Sequence, residues 1–169
     1  MTGDSTLAGL EDESGGHPWS ARVCLTVLLA VVLAGAAGGL GVHTADVSSS
    51  GHGYSLSLSY PRVARAGLDV TWQVTVRHEG GFGAPIVLAV TGDYFGIFET
   101  QGFFPEPDAE RRSADTLYLS FTAPPGDTLV VDYDAYIQPS SQVGRDGAVS
   151  VVSGGETLAS VDFSTWLFP

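Results

Sequence analysis

Residues 54 to 76 read YSLSLSYPRVARAGLDVTWQVTV, and apolar side chains occupy every second position in both halves of this stretch. In the first half leucine and tyrosine alternate with serine, and in the second half valine and Trp72 alternate with polar residues. A period of two is typical of a strand with one buried face. The sequence therefore predicts two strands, with Pro61 ending or bending the first of them.

Six further segments with strand-like composition follow, and glycine, proline and aspartate in the connections provide turns. They are residues 84–91, 94–100, 116–122, 128–137, 148–153 and 158–167. Seven or eight short strands in about 115 residues predict an all-β, immunoglobulin-like antiparallel β-sandwich over residues 54–169. The single cysteine, Cys24, excludes an intramolecular disulfide, so Trp72, Phe121 and Tyr133 are expected to build the core unaided.

The stretch LSYPRVARAGLDVTWQVTVRHEGGF resembles extracytoplasmic bacterial Ig-like modules, since a proline is followed after six residues by glycine and then by a V-x-W-x-V-x-V strand. Together with GDYF, an EPD loop, PPGDTLVVDYDA and a final VDFSTW, it is similar to a group of uncharacterised single-pass membrane proteins of high-GC Gram-positive bacteria. The resemblance covers roughly residues 54–169. It implies a membrane-anchored Ig-like β-sandwich and brings no catalytic residue or ligand with it.

Residues 23–42, VCLTVLLAVVLAGAAGGLGV, contain no charged side chain. Twenty helical residues cover about 30 Å, the hydrocarbon thickness of a bilayer. We therefore predict an uncleaved transmembrane signal anchor. The alternative is a cleaved signal peptide with a small-residue site such as Ala34-Gly35-Ala36.

The anchor divides the chain into a polar acidic tail at residues 1–22, a flexible linker at residues 43–53 and the β domain. Arg22 precedes the anchor, and no basic residue follows it before Arg62, so the positive-inside rule favours a cytoplasmic N-terminus and an extracytoplasmic C-terminal domain. The expected location is the cell membrane, with a single pass. Gly35 and Gly39 form a GxxxG, the spacing at which two helices approach closely in lipid and form a weak homodimer.

The chain of 169 residues has a formal charge of -12, with seven basic residues that are all arginine. Nucleic-acid binding depends on lysine and arginine neutralising phosphates, so no nucleic-acid partner is expected. The same charge disfavours electrostatic adsorption of the domain to anionic lipid. No GxSxG, SxxK or HExxH motif is present, and we predict neither an enzyme nor a bound cofactor.

Metal sites have little support from the sequence. His17, His43, His52 and His78 are scattered along the chain and are interpreted as solvated loop residues. Calcium prefers several oxygen ligands, and two groups of carboxylates are the candidates. They are Asp127, Asp132 and Asp134 at one strand, and Glu106, Asp108 and Glu110 in a loop. Neither group has the spacing of a calcium loop, so no metal site is predicted.

Aromatic residues are concentrated between positions 94 and 104. Strand alternation places some of these rings on opposite faces, so either the segment is buried on both sides while crossing between sheets, or some rings are exposed and mark a partner surface. The charged loop 105–113 follows directly. The candidate partner surface consists of Tyr94, Phe95, Phe98, Phe103, Phe104, Arg111 and Arg112.

Two functional hypotheses follow from these features. The first is a membrane-tethered extracytoplasmic interaction module that docks to another envelope or membrane protein without catalysis. The second is a secreted or anchored ligand-binding domain for carbohydrate or calcium. Co-purification from membranes in mild detergent discriminates between them, because a membrane-protein partner and a soluble ligand give opposite outcomes.

Overall fold

The computed structural model describes residues 18–36, 41–99 and 102–168. The chain divides into two compact units, residues 1–40 and residues 41–169. The first unit contains the N-terminal helix, and the second contains all of the described strands. The acidic tail up to residue 17 lies outside the described residues.

Helix α1 spans Pro18–Ala36 and is long and apolar enough to cross a membrane. Proline suits the first position of a helix because it has no N–H, and an N–H at that position would have no partner within the helix. Thr26 donates its hydroxyl to the carbonyl of Arg22 at 2.8 Å, which satisfies a polar group inside the apolar segment. Gly39 lies outside the described residues, so the homodimer through Gly35 and Gly39 stays a prediction.

The second unit is mostly β. Its described residues form ten strands and one short 3₁₀ helix, η1, at Gly92–Ile97. The strands are β1 His43–Gly51, β2 Tyr54–Arg65, β3 Asp69–His78, β4 Ile86–Thr91, β5 Phe103–Phe104, β6 Ala109–Ser113, β7 Thr116–Phe121, β8 Thr128–Tyr136, β9 Arg145–Ser153 and β10 Glu156–Phe168.

The strands form one mixed, curled sheet in the order β5-β8-β3-β2-β10-β9-β4-β7-β6, with β1 paired to β2 outside this path. Most of β10 pairs antiparallel with β9, whereas its last residues pair parallel with β2 at Val63–Arg65. The all-β prediction is confirmed. The sheet differs from a purely antiparallel arrangement of seven or eight strands because of this parallel pairing and three additional strands, and the immunoglobulin-like sandwich stays a prediction.

The two edges of the curled sheet come close together. Strand β5 is one end of the strand order and β6 is the other, yet only five residue steps separate Phe104 from Ala109. Five steps of extended chain span at most about 18 Å. The short connection therefore limits how far apart these two edge strands can lie.

The predicted alternation of buried and exposed side chains is confirmed in β2 and β3. Leu56 and Leu58 of β2 and the valines of β3 are buried, and the intervening polar residues face outward. Trp72 is fully buried, as predicted. Pro61 does not end β2, but the β2–β3 ladder stops at Ser59, two residues before it, and β2 then turns to pair with β10.

The interpretation of residues 43–53 as a flexible linker is wrong over most of its length. Residues 43–51 form β1, which pairs with β2 from His43 opposite Val63 to Gly51 opposite Tyr54. Ala45 and Val47 pack against the core. The strand was missed because serine and glycine fill most of the remaining positions, so the apolar residues that mark period two are few.

Candidate functional site

The segment that follows β4 contains a helical turn where a strand was predicted. In η1, Tyr94 and Ile97 are three residues apart and therefore lie on the same side, and both are buried. The N–H of Gly92 donates to the carbonyl of Asp115 at 2.7 Å, which fixes the start of the turn. The prediction of a strand at residues 94–100 is thus wrong over η1.

Most rings of the predicted partner surface belong to an aromatic cluster in the core. Tyr94 and Phe98 are buried, and Phe95 and Phe103 are partly buried against the same cluster. Ring centroids are 4.7 Å apart for Tyr94 and Phe163, 4.8 Å for Phe103 and Tyr133, and 5.0 Å for Phe95 and Tyr133. Such edge-to-face and tilted pairs stabilise a core beyond the area that they bury. These four rings therefore make internal contacts.

Phe104 differs from its neighbours, because 77% of its side chain is exposed. It ends the two-residue strand β5, which pairs with β8 at Tyr133 and Asp132. Alternation along β5 directs Phe103 to the aromatic cluster and Phe104 away from it. Of the predicted aromatic surface, Phe104 is the ring available to a partner.

Strand β6 begins five residues after Phe104, and all five of its residues are exposed. It pairs with β7 and with no other strand in the described part of the chain, so its second edge is open. We call Phe104 together with Ala109–Ser113 the open edge. Phe104, Arg111 and Arg112 are thus all exposed and lie within nine residues of chain.

Neither arginine of the open edge forms an ion pair with the described residues. The ion pairs among the described residues lie elsewhere and join Arg77 to Asp127 and His52 to Glu156, both at 3.8 Å. The guanidinium of Arg112 lies against Gly92, where a side chain would collide with it. The charge of both arginines therefore remains available at the surface.

Two of the candidate calcium ligands, Asp132 and Asp127, accept hydrogen bonds from neighbouring side chains. Asp132 accepts a hydrogen bond from the side-chain amide of Gln73 at 2.6 Å. Asp127 accepts the hydroxyl of Thr128 at 2.7 Å, and this bond, with the nearby Arg77, holds the pKa of Asp127 below its usual value. Over residues 18–36, 41–99 and 102–168, no three histidine, cysteine or acidic side chains come together as metal ligands.

The rings of two histidines, His78 and His52, contact other residues of the domain. The Nδ1 atom of His78 lies 2.7 Å from the carbonyl oxygen of Gly81, and the ring stacks on Tyr54 with centroids 4.3 Å apart. The ring of His52 lies 3.3 Å from the carbonyl oxygen of Leu158. The interpretation of His78 as a solvated loop residue is wrong, because its ring is half-buried at the end of β3.

Surface grooves occur at both ends of the strands. One of about 850 Å³ lies at the β1–β2 turn and includes Tyr54, Arg77, His78 and Asp127. A smaller one of about 340 Å³ lies beside the end of β10 and includes Val143 and Trp166.

Comparison with known proteins gives a limited result. No family model matches the chain. No curated protein matches it either. Part of the fold is similar to a crystal structure of a CaDoc0917–CaCohA2 complex, with a TM-score of 0.41 and 12% identity over 62% of this chain and 93% of that chain. The solution structure of CaCohA2 from Clostridium acetobutylicum gives a TM-score of 0.40 and 14% identity over 63% of this chain and 85% of that chain.

A third similarity is to the Pseudomonas fluorescens alkylpurine DNA glycosylase AlkC bound to DNA containing an abasic site analog. Its TM-score is 0.31 and its identity 18%, over 64% of this chain and 28% of that chain.

Sequence reasoning missed a second exposed aromatic group, Trp166 and Phe168 at the end of β10. The alternation along β10 was the available signal, since Phe163, Thr165 and Leu167 form its buried face. Period two then places Trp166 and Phe168 on the opposite, outer face.

Proposed function

We propose that this protein is a membrane-tethered extracytoplasmic module that docks another envelope or membrane protein and catalyses no reaction. The observation that carries the proposal is the open edge, where an unpaired strand edge and an exposed phenylalanine occur within ten residues of chain.

Strand β6 supports docking through its backbone. An edge strand presents a row of free N–H and C=O groups, to which an extended segment of another protein adds as a further strand. Natural proteins usually cover or shorten such edges. Here five consecutive residues, Ala109–Ser113, are exposed and paired on one side.

The side chains around β6 have the composition of an interface. Phe104 supplies an apolar anchor, and Arg111 and Arg112 supply charge that no described residue neutralises. Aromatic residues and arginine are enriched among the residues that contribute most to binding. A polar extended segment with an apolar side chain is the partner chemistry that this surface fits.

Helix α1 supports the membrane tether, since it is long and apolar enough to span a bilayer. Arg22 near its start favours a cytoplasmic N-terminus by the positive-inside rule. The domain that follows would then lie outside the membrane, where envelope proteins are its neighbours.

The test is site-specific photo-crosslinking of the full chain in its native membranes. A photoreactive amino acid replaces Glu110, which lies on β6 between the exposed positions. We expect a discrete crosslinked product, and we expect Phe104→Ser combined with Arg111→Glu to abolish it. Leu68→Ser, a change at an exposed apolar residue of the β2–β3 turn, is the matched control and should leave the product unchanged.

The proposal fails if Glu110 gives no product in membranes, or if the double variant and the control reduce the product equally. Carbonate extraction of the same membranes tests the tether, because an integral anchor resists it and a peripheral chain is released.

A further inference from the structure

Three large apolar side chains near the end of β10 are exposed. They are Trp166 at 67%, Phe168 at 52% and Val143 at 78%, and we call them the β10 patch. Trp166 and Val143 border the same groove of about 340 Å³. Exposed tryptophan and phenylalanine so close together indicate a surface that a membrane or a partner molecule covers.

The inward-facing side chains of the same strand are packed in the core. Leu167 of β10 and Ala64 of β2 are buried and pair with one another, and Thr165 is buried beside them. The outward direction of Trp166 and Phe168 therefore follows from strand alternation, and inverting the strand would expose the core. The two rings are fixed on the outside by the fold.

The β10 patch lies next to the point where the chain enters the domain. Val63 of β2 pairs with His43, the first residue of β1, and also with Trp166 of β10. Neighbouring strands are about 4.8 Å apart, so the backbones of His43 and Trp166 lie within about 10 Å of each other.

The connection to the membrane helix is short. Seven residue steps separate Ala36, the last described residue of α1, from His43. Whatever their conformation, they span at most about 25 Å. Chain length alone therefore keeps the start of β1, and the β10 patch near it, within reach of any membrane that α1 crosses.

Arginine flanks the patch on both sides. Arg65 pairs with Phe168 in the β2–β10 ladder, and Arg145 pairs with Thr165 in the β9–β10 ladder. Asp146 borders the groove of the patch, and Asp69 and Asp134 border a separate groove with Val42 and Thr44 at the start of β1. Tryptophan with arginine is the composition of protein surfaces at the lipid headgroup level, where rings bury their apolar part and guanidinium groups meet phosphates. This local arrangement differs from the acidic excess of the whole chain.

We propose that the β10 patch inserts into the headgroup region of the same membrane that holds α1. The proposal rests on the membrane tether of the proposed function and adds a second contact between the chain and the lipid. Two contacts restrict the rotation of the domain about its tether, so the open edge is presented to partners in a limited set of orientations.

The experiment measures Trp166 fluorescence in the full chain reconstituted into vesicles of phosphatidylcholine and phosphatidylglycerol. In a Trp19→Phe background, emission comes from Trp72 and Trp166, and subtraction of the Trp166→Phe variant isolates Trp166. Lipids brominated near the headgroup end of the acyl chain act as the quencher. We expect the Trp166 emission to be blue-shifted and to lose most of its intensity.

The control places a tryptophan at the open edge, by Phe104→Trp in the variant that lacks Trp19 and Trp166. Phe104 is exposed, and its strand is four strands from β10 in the sheet order. Its emission should remain solvent-like and unquenched in the same vesicles.

Each other outcome overturns the proposal in a different way. If the chain resists carbonate but Trp166 stays unquenched and solvent-like, the patch does not meet lipid, while the tether and the docking at Glu110 stand. If Trp166 shifts only as the protein-to-lipid ratio rises and stays unquenched, a second copy covers the patch. If carbonate releases the chain, the tether fails and this proposal fails with it.

Discussion

Thr165 joins three elements through a single hydroxyl group. Its Oγ1 donates to the carbonyl of Pro61 on β2 at 2.7 Å and lies 2.9 Å from the hydroxyl of Tyr94 on η1. Since the one hydroxyl proton of Thr165 is used on Pro61, Tyr94 must be the donor in the second bond. The buried chain of bonds runs from Tyr94 through Thr165 to Pro61.

Thr165→Val should destabilise the domain by about 1–3 kcal/mol, because it leaves both the Tyr94 hydroxyl and the Pro61 carbonyl buried without a partner. Tyr94→Phe removes one donor and keeps the Thr165–Pro61 bond, so its cost should be the smaller of the two. Urea unfolding of both variants and of the double variant checks this order. A Thr165→Val midpoint equal to that of the unmodified chain would contradict the bonding pattern.

The same tyrosine predicts a loss of stability in alkali. Burial raises the pKa of Tyr94 above its usual value of about 10. Above pH 10 the unfolded chain ionises at this position and the folded chain does not, so the free energy of unfolding falls as pH rises. Tyr94→Phe should flatten that fall in unfolding curves measured between pH 9 and pH 11, around the ordinary tyrosine pKa.

Single residues differ in how far the sequence predicts them. Trp72 was placed in the core because its neighbours alternate, and the structure confirms it. The partners of Thr165 were not predictable, because its bonds join residues 71 and 104 positions apart. Local periodicity carries no information about such pairs.

Whole elements also differ in how far the sequence predicts them. Strands β2 and β3 were predicted because one face of each is apolar and the other polar. The structure of residues 92–97 was not predicted, because aromatic rings occupy both possible faces and the chain adopts a 3₁₀ helix instead. Strand β6 has no buried face, and β5 has only two residues, so no alternation marks them.

Phe103 and Phe104 form a matched pair for testing β5. Phe103 packs against Trp72, Phe95 and Tyr133, whereas Phe104 is exposed. Phe103→Ser should therefore cost about 2–4 kcal/mol, near the range for truncating core aromatics, and Phe104→Ser should cost less than about 0.5 kcal/mol. Thermal unfolding followed by circular dichroism gives both values. Equal losses would mean that both rings are part of the core and that the open edge lacks its anchor.

At the scale of the whole molecule, the sheet depends on strand pairings that local sequence patterns do not predict. Strand β10 joins the β9 side of the sheet to the β2 side, and β1 pairs along β2 before β10 reaches it. Composition and turn residues predicted an all-β domain, but strand order is set by contacts between distant parts of the chain. The domain therefore begins about ten residues earlier than the alternation alone indicated.

The start of the domain can be tested by truncation. A chain beginning at Gly41 retains β1, whereas a chain beginning at Tyr54 loses nine residues paired with β2 and the packing of Val42, Ala45 and Val47. The burial of these small side chains predicts a loss of about 2–4 kcal/mol for the shorter chain, with a lower urea midpoint. Val47→Ser in the longer chain is the control and should lie between the two. Equal midpoints for both chains would restore the interpretation of residues 43–53 as a linker that adds nothing to the fold.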